Sequence, residues 1–222
     1  MIEWWGPVIN EYYASTEGSG ATFIDSAQAL AHPGSVGHDG VMGIVRICDD
    51  AGEELPTGAI GTVWWERDER PFEYHNDPQK TEEATHPAHP TWTTSGDIGY
   101  LDEERFLYLT DRAAFTIISG GVNIYPQESE NVLTLHPKVY DVAVIGVPNP
   151  EWGEEVKAVI ELKSGHEPSA ALERELIEYC RARLAHFKCP RSVDFVQSLP
   201  RYDSGKLSKH ALRERYRQAT RA

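Results

Sequence analysis

Residues 114–136 read AFTIISGGVNIYPQESENVLTLH, and the hydrophobic spacing changes character within that stretch. The run AFTIIS (114–119) is apolar and partly β-branched and reads as a strand, ending in Gly120–Gly121. Pro126 then suits the first turn of a helix over PQESENVLTLH, in which Val132, Leu133 and Leu135 supply apolar contact. Downstream the alternation repeats. VYDVAVIGV (139–147) and VKAVIEL (156–162) are strands separated by a polar, proline-containing connection. Residues 169–184 carry Leu172, Leu176, Ile177, Cys180 and Leu184 on one helical face, with Ser169 placed to cap it. RSVDFVQ (191–197) is another strand and LSKHALRERYRQ (207–218) a terminal helix. Strands alternating with helices in this way describe a compact α/β or α+β domain.

Upstream of residue 112 the pattern is different. VMGIVRIC (41–48) and AIGTVWWE (59–66) are strands, joined by DDAGEELPTG, whose glycine and proline fit turns. Residues 67–91 are polar, contain Pro71, Pro78, Pro87 and Pro90, and predict a long loop with one short helix. IGYLDEERFLYLTDR (98–112) sets apolar pairs on either side of a charged tight turn, a hairpin signal. This half reads mostly as short strands.

Charge divides the chain at the same place. Residues 1–111 hold 21 acidic and 5 basic side chains, and residues 112–222 hold 14 and 16, out of a net charge of −14. Two units are therefore expected, one strongly acidic and one nearly neutral. The first is a poor nucleic-acid surface, since a phosphate backbone demands clustered Lys and Arg. The basic C-terminal run, spaced helically, reads as a solvated face. No stretch approaches the roughly 20 apolar residues of a membrane span, and MIEWWGPVINEYYAS lacks the basic and apolar regions of a secretory signal. Cys48, Cys180 and Cys189 form no C-x-x-C pair, which suggests buried or free thiols in a reduced, cytoplasmic compartment.

Four segments could carry chemistry. In YYASTEG (12–18) small residues follow an aromatic, a Thr hydroxyl can bond a phosphate oxygen, and Glu17 can hold a hard cation such as Mg²⁺; a strand end with a polar turn looks the same. In TSGD (94–97), Asp97 can accept both hydroxyls of a ribose or equally close an Asx turn. Asp111–Arg112 precede SGGVNIYP (119–126), where paired glycines permit positive φ or a close backbone approach. Arg112 can fork onto a phosphate or ribose, or form a surface ion pair. In LPRYDSGKL (199–207) the Gly-Lys pair invites a phosphate-loop reading, but Pro200 and Leu207 stand where Gly and Ser or Thr are required. What remains is a loop lysine able to swing a point charge onto a ligand.

The order and spacing of these segments together resemble the adenylate-forming superfamily of acyl-CoA synthetases, peptide-synthetase adenylation domains and luciferases, over essentially the whole chain. YYASTEG resembles the family's Y-G-x-T-E segment, SGD its T-G-D and LTDR its Asp-Arg. SGGVNIYPQE resembles the stretch after its inter-domain hinge, and LPRYDSGKL its P-x-x-x-x-G-K loop. SGGVNIYPQESE with FKCPR (187–191) is most like the fatty-acyl and aryl CoA ligases. The resemblance implies an α/β (α+β) fold: the mostly β end of a large AMP-binding domain over 1–111, then a small α/β lid domain over 112–222. It implies a carboxylic-acid substrate, ATP/AMP, Mg²⁺ and CoA. By analogy Tyr13 stacks on adenine, Thr16 touches phosphate and Glu17 holds Mg²⁺. Asp97 grips the ribose with Arg112 nearby, Lys206 stabilises charge at the α-phosphate during adenylation, and Gly120 and Gly121 line the pantetheine tunnel.

Two departures stand out. Ala114 occupies the hinge position, usually Asp or Lys, and Phe115 follows it. The family's Gly/Ser/Thr-rich phosphate loop and acyl pocket have no counterpart in these residues. The expectation is that Met1 begins partway through the large domain and that the chain alone has negligible synthetase activity. It is also expected to expose apolar surface that favours self-association, and to need either its own upstream sequence or a second chain supplying that part. Two alternatives stay open: a non-catalytic nucleotide-binding or regulatory module of the same fold, and an adenylation domain that loads a carrier protein. The acid activated is not legible.

Overall fold

The computed structural model describes residues 1–221, with side chains through residue 218. The chain forms two compact units, Met1–Ala113 and Ala114–Ala222. Among the described residues no helix is long and apolar enough to cross a membrane.

The first unit is a seven-stranded antiparallel sheet made of β1 (Asn10–Ala14), β2 (Ala21–Asp25), β3 (Gly37–Met42), β4 (Ile44–Cys48), β5 (Gly61–Glu66), β6 (Asp97–Leu101) and β7 (Phe106–Arg112). Their spatial order is β1-β2-β3-β7-β6-β5-β4. Three short helices decorate it: α1 (Ile2–Trp5), α2 (Ser26–Ala31) and α3 (Pro78–Glu83). The expected strand over 41–48 is broken at Gly43, whose φ of 91° lets the chain turn from β3 into β4. The helix expected within 67–91 is α3, started by Pro78 and capped by the Asp77 side chain on the Lys80 amide. Val45, Ile47, Val63, Trp65, Leu101 and Leu107 form the core of this unit. The sheet curls, so that the chain around β1 returns over β5 although four strands lie between them in the spatial order. The Tyr13 and Trp65 rings lie 6.2 Å apart, and a Cβ on Gly20 would fall 2.0 Å from the Trp65 ring, so only glycine fits there. Met1, Trp4, Trp5, Val8 and Tyr12, along α1 and the edge strand β1, are exposed.

The second unit has a five-stranded sheet. In it β8 (Ile117–Ser119) and β9 (Val122–Ile124) form a hairpin, and β11 (Gly153–Leu162) pairs antiparallel with β10 (Val139–Asn149) and parallel with β12 (Ser192–Val196). Its helices are α4 (Pro126–Thr134), α5 (Ala170–Arg181) and α6 (Lys209–Arg221). The continuous apolar run in β10 is explained by burial on both faces. Val142 and Val144 pack in one core with Leu133 of α4 and Leu172, Leu176 and Cys180 of α5. Ala143, Ile145 and Val147 face the other way, into a core with Leu199 and Leu212 of α6. Ser169 caps α5 through the Leu172 amide, as its spacing predicts.

Three local expectations are corrected. Residues 113–115 form a 3₁₀ turn, so the strand expected over 114–119 is confined to Ile117–Ser119, and the partner strand β9 was not anticipated. Leu135 is 76% exposed, because α4 stops at Thr134 and the leucine falls beyond its buried face. Pro148 lies within β10 rather than in a connection; β10 is an edge strand, where a missing N–H costs no ladder bond.

Candidate functional site

Asp97 is the centre of a polar cluster in the first unit. It is the first residue of β6 and only 5% exposed. Three donors converge on its carboxylate: the Tyr13 hydroxyl and Ser95 Oγ (2.9 Å) on Oδ2, and Arg112 Nε (3.0 Å) on Oδ1. The hairpin register sets Arg112 directly opposite Asp97. Tyr13 arrives from β1, 84 positions away, through the curl of the sheet. Burial, then the Asp97 charge, pushes the Tyr13 phenol well above its usual pKa, so it remains a donor. Arg112 is 61% exposed and keeps guanidinium donors toward solvent.

The turn before Asp97 does not use the aspartate to close itself. Thr94 Oγ1 accepts the Gly96 amide at 3.0 Å and donates to the Val63 carbonyl at 2.7 Å. Gly96 has a φ of 80° and its carbonyl accepts the Ala113 amide. Thr94 therefore makes the local turn and leaves the Asp97 carboxylate for side-chain donors. A carboxylate accepts about four hydrogen bonds, and three are in place. A diol can be held by the remaining lone pair together with exchange of the Tyr13 or Ser95 hydroxyl, so the cluster fits a ribose.

Thr16 is exposed in the turn after β1, and Glu17 beside it is half-buried. Glu17 Oε1 accepts the Tyr74 hydroxyl at 3.0 Å. The Tyr74 phenol is raised by burial and then by this carboxylate. Among the described residues no three His, Cys, Asp or Glu side chains gather for a metal. A lone carboxylate with a free oxygen is still a fitting Mg²⁺ ligand, because that ion commonly takes one or two carboxylates with phosphate oxygens and water. Tyr74 lies in the irregular 67–91 segment, where periodicity gives no signal, and was missed.

The second unit holds the remaining predicted residues. Gly120 and Gly121 form the two-residue turn between β8 and β9, with φ of 58° and 81°, the primed turn that a tight hairpin prefers. A Cβ on Gly120 would lie 2.7 Å from the Trp152 ring, and its amide donates to the Trp152 carbonyl. The turn and the Trp152 contact account for Gly120, while Gly121 has open space around its α-carbon. Lys206 is exposed on a short turned loop: the Tyr202 amide donates to the Lys206 carbonyl, and Arg201 bridges to Leu207. Gly205 before it has a φ of 82°. Below the loop Leu199 is buried and Lys209 pairs with Glu130 at 2.8 Å, both side chains under a tenth exposed. Glu130 also accepts the Val144 amide, tying α6 to α4 and β10. This buried pair was not anticipated, since Lys209 reads as part of a basic solvated face. The Ala114 carbonyl accepts a hydrogen bond from Arg213 Nη1 at 2.6 Å.

Residues 128–206 match the family model described as the AMP-binding enzyme C-terminal domain. The chain is 40% identical over 205 residues to the long-chain-fatty-acid–CoA ligase FadD13 of Mycobacterium tuberculosis, covering 92% of this chain and 39% of that protein. It is 38% identical over 189 residues to the fatty acid–[acyl-carrier-protein] ligase ScoC of Streptomyces coeruleorubidus, covering 85% and 34%. In structure it is similar to ATP-bound MatB from Rhodopseudomonas palustris, with a TM-score of 0.82 and 32% identity over 96% of this chain and 42% of that one. The chain thus spans between about a third and two fifths of the length of the curated relatives it matches.

Proposed function

The chain belongs to the AMP-binding enzymes, whose C-terminal domain it carries over residues 128–206, and on that premise we propose that it serves ATP-dependent acyl-CoA ligation. In that reaction a carboxylate oxygen attacks the α-phosphorus of ATP and pyrophosphate leaves. The CoA thiol then attacks the acyl carbon, the bond to AMP breaks, and the thiol proton is lost to solvent.

In this reading residues 1–111 are the end of the large AMP-binding domain and residues 112–222 the small mobile lid. The observation that carries it is the Asp97 carboxylate, buried at a strand end beneath three converging donors and with one acceptor position left. Asp97 takes the ribose hydroxyls and Arg112 adds positive charge beside them. Tyr13 presents its ring to the adenine, and Thr16 donates to a phosphate oxygen. Glu17 would hold Mg²⁺, which would supply neutralisation of phosphate charge. Lys206 brings an ammonium to the charge that grows on the α-phosphate in the first step. Gly120 and Gly121 lie along the path of the pantetheine thiol in the second. A polypeptide of residues 1–222 alone turns over negligibly, because these residues include no phosphate loop, and losing even one anchoring donor costs roughly 2.7–4 kcal/mol in a transition state.

Calorimetry with a stable acyl-adenylate analogue tests the assignment. Binding is expected, and Asp97→Ala is expected to weaken it at least about tenfold, the worth of one charge-assisted hydrogen bond. Equal affinity in the two proteins would remove Asp97 from the nucleotide site. No binding in either would favour the reading as a non-catalytic regulatory module. Thioester formation with a carrier-protein arm but not with CoA would assign the acceptor to the class that ScoC's name describes.

A further inference from the structure

Residues 199–208 tie themselves down at three levels. Leu199 and Leu207 root the loop in the core under α6. The Ser208 amide donates to the Pro200 carbonyl at 2.8 Å, and the Tyr202 amide to the Lys206 carbonyl at 2.9 Å, so the backbone folds back on itself. At the tip the fastening passes to a side chain. Arg201 Nη1 donates to the Gly205 carbonyl at 2.8 Å, and its Nη2 pairs with Asp141 Oδ2. Asp141 belongs to β10, where the register with β11 slips between Val139 and Asp141. Such an irregularity turns a side chain away from the regular pleat. Its other oxygen is held by the Val142 amide at 2.8 Å, so the carboxylate is aimed from both ends.

The Gly205 carbonyl belongs to the peptide that joins Gly205 to Lys206. Gly205 sits at positive φ and meets no neighbour at its α-carbon. The Gly205 amide donates to the Tyr202 carbonyl at 2.8 Å, but glycine has no side chain to restrict its carbonyl side, and such a residue has wide torsional freedom. One guanidinium spanning two acceptors removes that freedom, which a lysine, as a point charge, does less well.

We propose that Arg201 is a positioning residue for Lys206: by bridging Asp141 of the sheet to the Gly205 carbonyl it fixes the peptide from which Lys206 projects. The inference rests on the assignment of Lys206 to the adenylation step. Arg201 is about half exposed, so the bridge adds little to global stability. Its worth lies in orientation, where a misplacement of about 1 Å can cost up to roughly 100-fold in rate.

Two measurements decide it. In a full-length ligase carrying these 222 residues, Arg201→Gln should lower the rate of acyl-adenylate formation about tenfold. The KM for ATP and thioester formation from preformed acyl-AMP should stay unchanged. Asp141→Asn should act in the same direction more mildly, and the double variant should be no worse than Arg201→Gln, since both break one bridge. If Lys206→Ala leaves adenylation intact, the assignment of Lys206 fails. If Lys206→Ala removes adenylation and Arg201→Gln does not slow it, the positioning role alone fails. In the 222-residue chain itself, Arg201→Gln should speed amide exchange across residues 202–207 about tenfold at an unchanged melting midpoint. Unaltered exchange would overturn the proposal without reference to catalysis.

Discussion

The Asp97 cluster and the Lys206 loop carry charge in opposite ways. Asp97 is 5% exposed and held by donors from β1, from β7 and from the turn before β6. Lys206 is exposed, and only the backbone beneath it is fastened. A buried carboxylate must be satisfied in the folded state, since an unpaired one is expensive; its environment is therefore part of folding. An exposed ammonium needs no partner to fold, so its environment is free to be supplied by a ligand. In the proposed reading the first arrangement would serve as a preformed receptor and the second as a delivered charge.

That contrast can be broken by experiment. In a complete ligase, Lys206→Ala should lower acyl-adenylate formation by about 10²–10³, while urea unfolding shifts by less than about 0.5 kcal/mol. A large stability loss would mean that Lys206 is structural. Asp97→Ala should cost about 1–3 kcal/mol in urea unfolding, because Tyr13, Ser95 and Arg112 lose their common acceptor. A wild-type midpoint would show that the cluster is not held together in solution.

Smaller effects sharpen the picture of burial. His136 is 4% exposed, and burial holds its pKa below the usual 6.5 against the opposing pull of Glu175. The folded chain thus favours neutral imidazole. Above pH 6.5 the group adds no pH dependence, and as pH falls through 6.5 the unfolded chain protonates first and stability drops. His136→Asn should flatten that fall in melting temperature between pH 7 and about 5; an identical slope would place the titration elsewhere. Burial also pushes the Cys48 thiol up to about 11 and the Cys180 thiol to about 12. Alkylation at about pH 8 should then be slow for both until urea is added, as read by mass spectrometry. Fast labelling of Cys48 alone would mark the first unit as the looser of the two.

Much of the second unit was legible because its signals are local. Ser169 and the apolar residues at 172, 176 and 180 specify α5 without help from the rest of the chain. In the first unit the β6–β7 hairpin likewise follows from apolar pairs about a charged turn, and with it the opposition of Asp97 and Arg112. The 113–119 stretch was misjudged because AFTIIS is apolar throughout, and nothing within it says where the 3₁₀ turn gives way to β8. Tyr74 and Arg201 escaped for a different reason. Each acts through a partner far along the chain, Glu17 at 57 positions and Asp141 at 60, and spacing carries no record of such pairings.

What the sequence by itself determined was most elements of the second unit and several strands of the first, the change in character near residue 112 and the ordered motifs that identify the family. These depend on period, turn chemistry and residue type, which act over a few neighbours. Only the tertiary structure decided that Tyr13 ends on Asp97 and that Thr94 rather than Asp97 closes the turn before β6. It likewise paired Lys209, drawn from a basic run, with Glu130 in the interior. The reason is physical: a buried polar group must find its partner wherever the packed chain brings one within about 3 Å, and that place is set by strand order and sheet curl.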